Sequence, residues 1–213
     1  VEKYTKMFPD NLLVYCSAND ISADKNYDKI RDDIHVINPF NLEGMIDFNN
    51  EELHNAIFIF DDCDSDFVVS ADKVDERLTE EYMNNLSVKE KNAALRMVKQ
   101  RGEIAATYVK QSIISFLCNG RKFKQSVIYV GHKANDGTYE NKIVNESTGV
   151  ILFPASMSAT VLSKFMQNKL CFEKEQADEV LKEIEWFKYD WLFVSHKSSK
   201  KFVVAPDRIK IFK

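Results

Sequence analysis

The residues best suited to chemistry sit at the end of one apolar run. Ile57-Phe58-Ile59-Phe60 is followed at once by Asp61-Asp62. Four large apolar residues predict a central strand, and two carboxylates leave its C-terminal end. In open α/β sheets, ligands bind outside those carboxyl ends. One Asp there can hold Mg²⁺, directly or through water, and the second can polarise a water for attack on a phosphate. A strand running into a solvated acidic turn has the same pattern, so the pair alone does not choose between the two.

The acids continue with Asp64 and Asp66. Asp62-Cys63-Asp64-Ser65-Asp66 begins like an EF-hand loop, but Phe67 stands where that loop needs glycine and Lys73 where it needs Glu. Asp62-x-Asp64 also matches the start of the DxDx[TV] nucleophile motif of haloacid-dehalogenase-like phosphatases, without its closing Thr or Val. That pair supports an alternative reading as a Mg²⁺-dependent phosphohydrolase.

Two further segments carry polar groups to plausible positions. Ser126–Val130 runs into Gly131-His132-Lys133. His132, just past a strand, could sense a γ-phosphate or position a water, or be a surface turn histidine. Asn119-Gly120-Arg121-Lys122 joins a helix to that strand. Arg121 on this corner could reach a phosphate across a subunit interface, or simply be a cation favoured at a helix C-terminus.

The elements that must position these groups are short apolar runs bounded by polar turns. They are Leu12–Cys16, His35–Ile37, Ile57–Phe60, Ser126–Val130, Val150–Phe153 and Trp191–Ser195. Most are continuous and not alternating, which predicts strands covered on both faces in a parallel α/β sheet. Helices are expected between them. Glu103–Cys118 places Ile104, Tyr108, Ile113 and Leu117 on one face, with Gly120 as C-cap. Ser158 caps a helix to about Leu170, and Glu173–Phe187 carries Ala177, Val180, Leu181 and Ile184 on one side. Residues 70–100 read as a charged helical insertion. Phe202–Ala205 and Ile209–Phe212 read as a hairpin turned by Pro206-Asp207. The expected organisation is an α/β core over residues 1–195, with the insertion inside it, and a basic hairpin or tail over 196–213.

Composition bounds the function. The chain has 213 residues and a formal net charge of -4, so it is not a basic nucleic-acid coat. A local basic patch is confined to the C-terminus, at Lys197, Lys200, Lys201, Arg208, Lys210 and Lys213. It reads as a solvated Lys-rich end or as a DNA contact. The four cysteines, Cys16, Cys63, Cys118 and Cys171, have no CxxC spacing and read as structural thiols in a reducing compartment. No apolar stretch reaches the length of a membrane span. The six glycines form neither GxGxxG nor GxxxxGK[ST], so the chain has no Gly-rich phosphate cradle.

Taken in order, these motifs resemble the DNA-packaging ATPases of large DNA viruses, the poxvirus-type branch of the FtsK–HerA superfamily. The resemblance rests on Phe8-Pro9 before the strand Leu12–Cys16, the strand ending in Phe60-Asp61-Asp62, and the Gly120-Arg121 corner. It continues with the strand ending at His132, Glu146-Ser147, and the strand ending in Phe153-Pro154. It implies an ASCE-type P-loop NTPase core with a mostly parallel sheet flanked by helices. It implies a homo-oligomeric ring that couples ATP hydrolysis to movement of double-stranded DNA into a capsid, against capsid or portal components, in the host cytoplasm or the virion. Asp61 would assist Mg²⁺, Asp62 would be the catalytic acid, His132 the polar sensor and Arg121 the trans-acting arginine. Lys122 replaces the His often found after Gly-Arg, and Gly131 replaces Ser before His132. The family's P-loop is expected one helix upstream, with Val1–Phe8 the end of that helix. The alternative from another class is a degenerate, non-catalytic α/β protein used in virion assembly or DNA binding.

Overall fold

The parallel sheet forms where the sequence has its longest uncharged apolar runs. The structure, a computed structural model, describes residues 10–17, 28, 34–39, 42–61, 63, 84–131, 137–153, 158–183, 191–197 and 200–212. The chain divides into two compact units, Val1–Lys133 and Ala134–Lys213.

The first unit contains β1 (Leu13–Ser17), β2 (Ile34–Ile37), β3 (Ile57–Asp61), α1 (Val88–Asn119) and β4 (Ser126–Val130). The strands form one sheet in the order β2-β1-β3-β4, with every neighbouring pair parallel. β1 is buried throughout, and β3 is buried until Asp61. The edge strands β2 and β4 are only partly covered. The continuous apolar runs at β1 and β3 thus mark strands enclosed on both faces. Phe58 and Phe60 of one face meet Phe116 of α1, with ring centroids 4.0 and 6.2 Å away. Leu13, Tyr15, Ile57 and Ile59 form a second cluster with Ile34.

Helix α1 differs from expectation in length and in face. It runs for 32 residues because Ser87 and Glu90 make a capping box that starts it well before Glu103. The part of the expected insertion at 88–100 is therefore its first turns. The part at 70–83 lies outside the described residues. The buried face is Val98, Gly102, Ala105, Val109, Ser112, Ile113 and Phe116, while Ile104 is exposed. Small residues at 102 and 105 let the helix lie close, and the large Phe116 fills the space beside Phe58. Between Val88 and Met97 no residue is buried. Gly120 follows the helix in a right-handed conformation and leads into a 3₁₀ turn, Gly120–Phe123; the left-handed residue is Lys124, at φ 55°. A Cβ on Gly120 would stand 3.0 Å from Gln125 Oε1, so glycine is needed there for room.

The second unit contains α2 (Gly137–Glu146), β5 (Gly149–Leu152), α3 (Ala159–Leu170), α4 (Lys174–Glu183), β6 (Leu192–Ser195), β7 (Phe202–Ala205) and β8 (Arg208–Ile211). Its sheet is an antiparallel meander, β5-β6-β7-β8. This corrects the expectation that the runs at 150–153 and 191–195 join the parallel sheet. The six residues between β6 and β7 and the two between β7 and β8 allow only antiparallel pairing there, and β5, although joined to β6 through α3 and α4, also pairs with it antiparallel. The expected hairpin exists as β7–β8, but as half of this sheet. Helices α3 and α4 cover one face of it. Leu162, Phe165, Met166, Ala177 and Val180 pack there with Leu152, Leu192, Val194 and Val203. Ser158 caps α3 by accepting from the Val161 amide, as expected. Ile184, expected on the buried side of α4, lies outside the described residues. Among the described residues, no helix is long and apolar enough to cross a membrane.

Candidate functional site

Parallel pairing brings the carboxyl ends of β1, β3 and β4 to one edge. Ser17 lies opposite Asp61, and Asp61 opposite Val130. β2 flanks β1 on one side while β3 and β4 follow on the other, so the order reverses between β1 and β3. A crevice at such a reversal is where open α/β sheets bind ligands.

Tyr15 and Asp61 share one face of the sheet, because Ser17 pairs with Asp61 and Tyr15 sits two residues before it. Tyr15 is 3% exposed, so its hydroxyl needs a partner inside the protein. It donates to Asp61 Oδ2 at 2.7 Å, a distance typical of a charge-assisted bond. Ser17, also buried, stands beside this pair. The Cys63 thiol, fully buried, lies 3.3 Å from the carbonyl oxygens of both Cys16 and Asp61. As a weak donor shared between them, it ties the chain leaving β3 back to the end of β1. Tyr15, Ser17 and Cys63 were not anticipated as site residues. Alternation along β1 could have placed Tyr15 on the Asp61 face only once the register was known.

Asp61 ends β3 as expected. Asp62 and His132 lie outside the described residues, as do Asp64 and Asp66. Arg121 is exposed in the 3₁₀ turn before β4, at the amino end of the sheet. The five residues of β4 span about 17 Å, so Arg121 and Asp61 occupy opposite ends of the same unit. Gly131 follows β4 beneath a ring: a Cβ there would stand 2.8 Å from Tyr129 Cε1. Close packing explains this glycine.

The donor set at Asp61 fits Mg²⁺. That ion takes one or two carboxylates, with water and phosphate oxygens completing its shell. Tyr15 engages Oδ2, so Oδ1 is the oxygen of Asp61 that such an ion would meet. Among the described residues there is no group of three or more His, Cys, Asp or Glu able to hold a metal by itself. A triphosphate does not fit these residues alone, because no Gly-rich cradle of backbone amides or accompanying Lys is present.

The C-terminal cations have local partners. Lys210 meets Glu179 at 2.6 Å, Arg208 meets Asp207 at 3.2 Å, and Lys197 lies 3.9 Å from Glu146. Lys201 donates to the Cys171 carbonyl and sits over the Phe172 ring. All four cysteines are free thiols, Cys16 and Cys63 buried and Cys118 and Cys171 exposed.

A serine–histidine pair occurs in the second unit, 3.2 Å between Ser147 Oγ and His196 Nε2. It is arranged for structure. Ser147 gives its hydroxyl proton to the Val144 carbonyl at 2.8 Å, so Oγ accepts from an Nε2–H. Burial, and then the charges of Lys197 and Lys201, hold the His196 pKa below its usual value and keep the ring neutral. A base for Ser147 would need the opposite proton direction.

Compared with family models, curated proteins and solved structures, the chain matches none.

Proposed function

We propose that the carboxyl end of the parallel sheet is a Mg²⁺-assisted phosphate site, serving ATP-driven packaging of double-stranded DNA. The observation that carries this reading is the Tyr15–Asp61 pair at the reversal between β1 and β3, beside Ser17. It holds one carboxylate in a fixed orientation where such sheets take their ligands. The ATP and DNA terms of the reading come from the resemblance of the ordered motifs. When bound, Mg²⁺ supplies charge neutralisation at the phosphate oxygens. Asp61 would hold the ion through its second carboxylate oxygen, while Tyr15 fixes the carboxylate by donating to Oδ2. Asp62 follows as the group that would polarise water.

The test is Mg²⁺ binding by calorimetry together with DNA-stimulated phosphate release from ATP. Asp61→Asn should abolish the Mg²⁺ heat, and Asp62→Asn should lower phosphate release by about 100-fold or more while leaving that heat in place. Wild-type protein that gives no Mg²⁺ heat, or a heat that Asp61→Asn leaves unchanged, sinks the proposal.

A second reading, a non-catalytic assembly protein, draws on the same hydrogen bond. A buried tyrosine that satisfies itself on Asp61 gives that carboxylate a structural role. Under this reading, Asp62→Asn leaves every assembly property unchanged.

A further inference from the structure

The antiparallel sheet has one dressed face and one bare face. Helices α3 and α4 cover the side that carries Leu152, Leu192, Val194 and Val203. On the other side, Ile151, Phe193, Val204 and Ile209 form one cross-strand row through all four strands. The next row adds Phe202 paired with Ile211. Ile151 is 55% exposed, Ile209 67% and Ile211 61%. Trp191, at 37%, extends the same alternation one step past the paired residues. A soluble domain does not leave a face of this kind bare without a use for it.

We propose that this face is a homodimer interface that docks on the same face of a second copy of the chain. Three features select that occupant. First, no outward position on the four strands is charged; the β8 cations alternate to the helix side, where Lys210 meets Glu179. A nucleic acid or a charged peptide would find nothing to pair with. Second, the face is apolar to both edges, with Ile209 and Ile211 on β8 and Ile151 on β5. A two-fold axis along the strands sets the β8 edge of one copy on the β5 edge of the other, apolar against apolar, as an isologous contact requires. The centre is low, because a Cβ on Gly149 would stand 2.5 Å from the Phe193 ring, which therefore lies down over the glycine. Phe193 and Phe202 pack at 6.2 Å beside it. Aligned sheets stack on such floors about 10 Å apart. Third, the area fits a weak, reversible contact. The exposed side chains Ile151, Trp191, Ile209 and Ile211, of roughly 200 Å² each, leave about 440 Å² per copy, or about 880 Å² for the pair. Interfaces of that size form transient complexes.

The contact closes at two copies and uses residues of the second unit alone, so it holds or fails without reference to nucleotide chemistry. The test is sedimentation velocity on the full chain from about 1 to 100 µM, the range in which an interface of this size associates. Wild type should pass from monomer to dimer. Ile209→Asp with Ile211→Asp should weaken the dimer about 100-fold or more, since each copy then buries uncompensated charge. Its circular dichroism should match wild type, because both side chains are exposed in one copy. The milder pair Ile209→Ser and Ile211→Ser should weaken association about 10-fold and covers the case in which the charged variant misfolds. Glu175→Ala, on α4, should change nothing. A wild type that stays monomeric throughout, or a dimer untouched by both β8 variants, overturns the proposal.

Discussion

The two units use sheets of similar size in opposite ways. In the first, β1 and β3 are enclosed on both faces, and the polar groups are pushed to the strand ends, where Tyr15 and Asp61 meet. In the second, the polar groups are spent on turns and helix ends, while one whole face is left apolar and open. The first arrangement concentrates polar groups at an edge. The second offers area. A parallel sheet forces this outcome, since its crossovers cover its faces and leave the carboxyl ends as the accessible polar surface. A meander carries no such crossovers and can keep a face for another molecule.

The largest expected effect contrasts the two faces directly. Phe116→Ala removes a ring that is 2% exposed and stacked on Phe58, and should cost about 3–5 kcal/mol in urea unfolding. Ile211→Ala, on the bare face, should change stability by about 0.5 kcal/mol or less at concentrations that keep copies apart. Similar costs at the two positions would erase the distinction between a covered and an open sheet. Next in size is Tyr15→Phe, which keeps the ring but strips Asp61 Oδ2 of its donor. A lost bond to a charged acceptor is worth about 1.5–3 kcal/mol. A cost near zero would mean that Asp61 is held by water and not by the sheet.

The smallest effect is a pH dependence in the second unit. His196 binds its proton less readily when folded than the ordinary value of 6.5, chiefly through burial and then through Lys197 and Lys201. The unfolded chain therefore takes up the proton first as pH falls. Stability is flat above about 6.5 and declines below it, until the folded state also protonates. His196→Gln should remove that decline, measured as melting temperature between about pH 7 and pH 5. A variant that keeps the wild-type slope would place the titration elsewhere.

Much of this was legible in the sequence, and the parts that were not share a cause. Ser126–Val130 and Phe202–Ala205 were read to the residue, and β1 and β3 within one, because uncharged apolar runs between polar turns have few alternatives. The same signature misled at Val150–Phe153 and Trp191–Ser195. An apolar residue at every position says that both faces avoid charge, and a bare apolar face meets that condition as well as a buried one. The early start of α1 was available in Ser87-x-x-Glu90, a capping box inside a stretch read as a separate charged helical insertion. At the site, Asp61 was visible because a strand end is a local pattern. Tyr15 was not, since its meeting with Asp61 spans 46 residues and depends on register. Asp62 and His132 keep the roles that the resemblance implies for them, as expectations.

The length of α1 has a mechanical consequence. At 32 residues it measures about 48 Å, against about 17 Å for the strands beneath it. Its first buried residue is Val98, so the ten residues before it, about 15 Å, extend past the sheet as an arm fastened at one end. Phe116, about 27 Å further along, packs over Phe58 and Phe60 and fixes the opposite end of the helix on the sheet. The seated part is longer than the arm, so the position of the tip at Val88 is set by how the helix lies on the sheet.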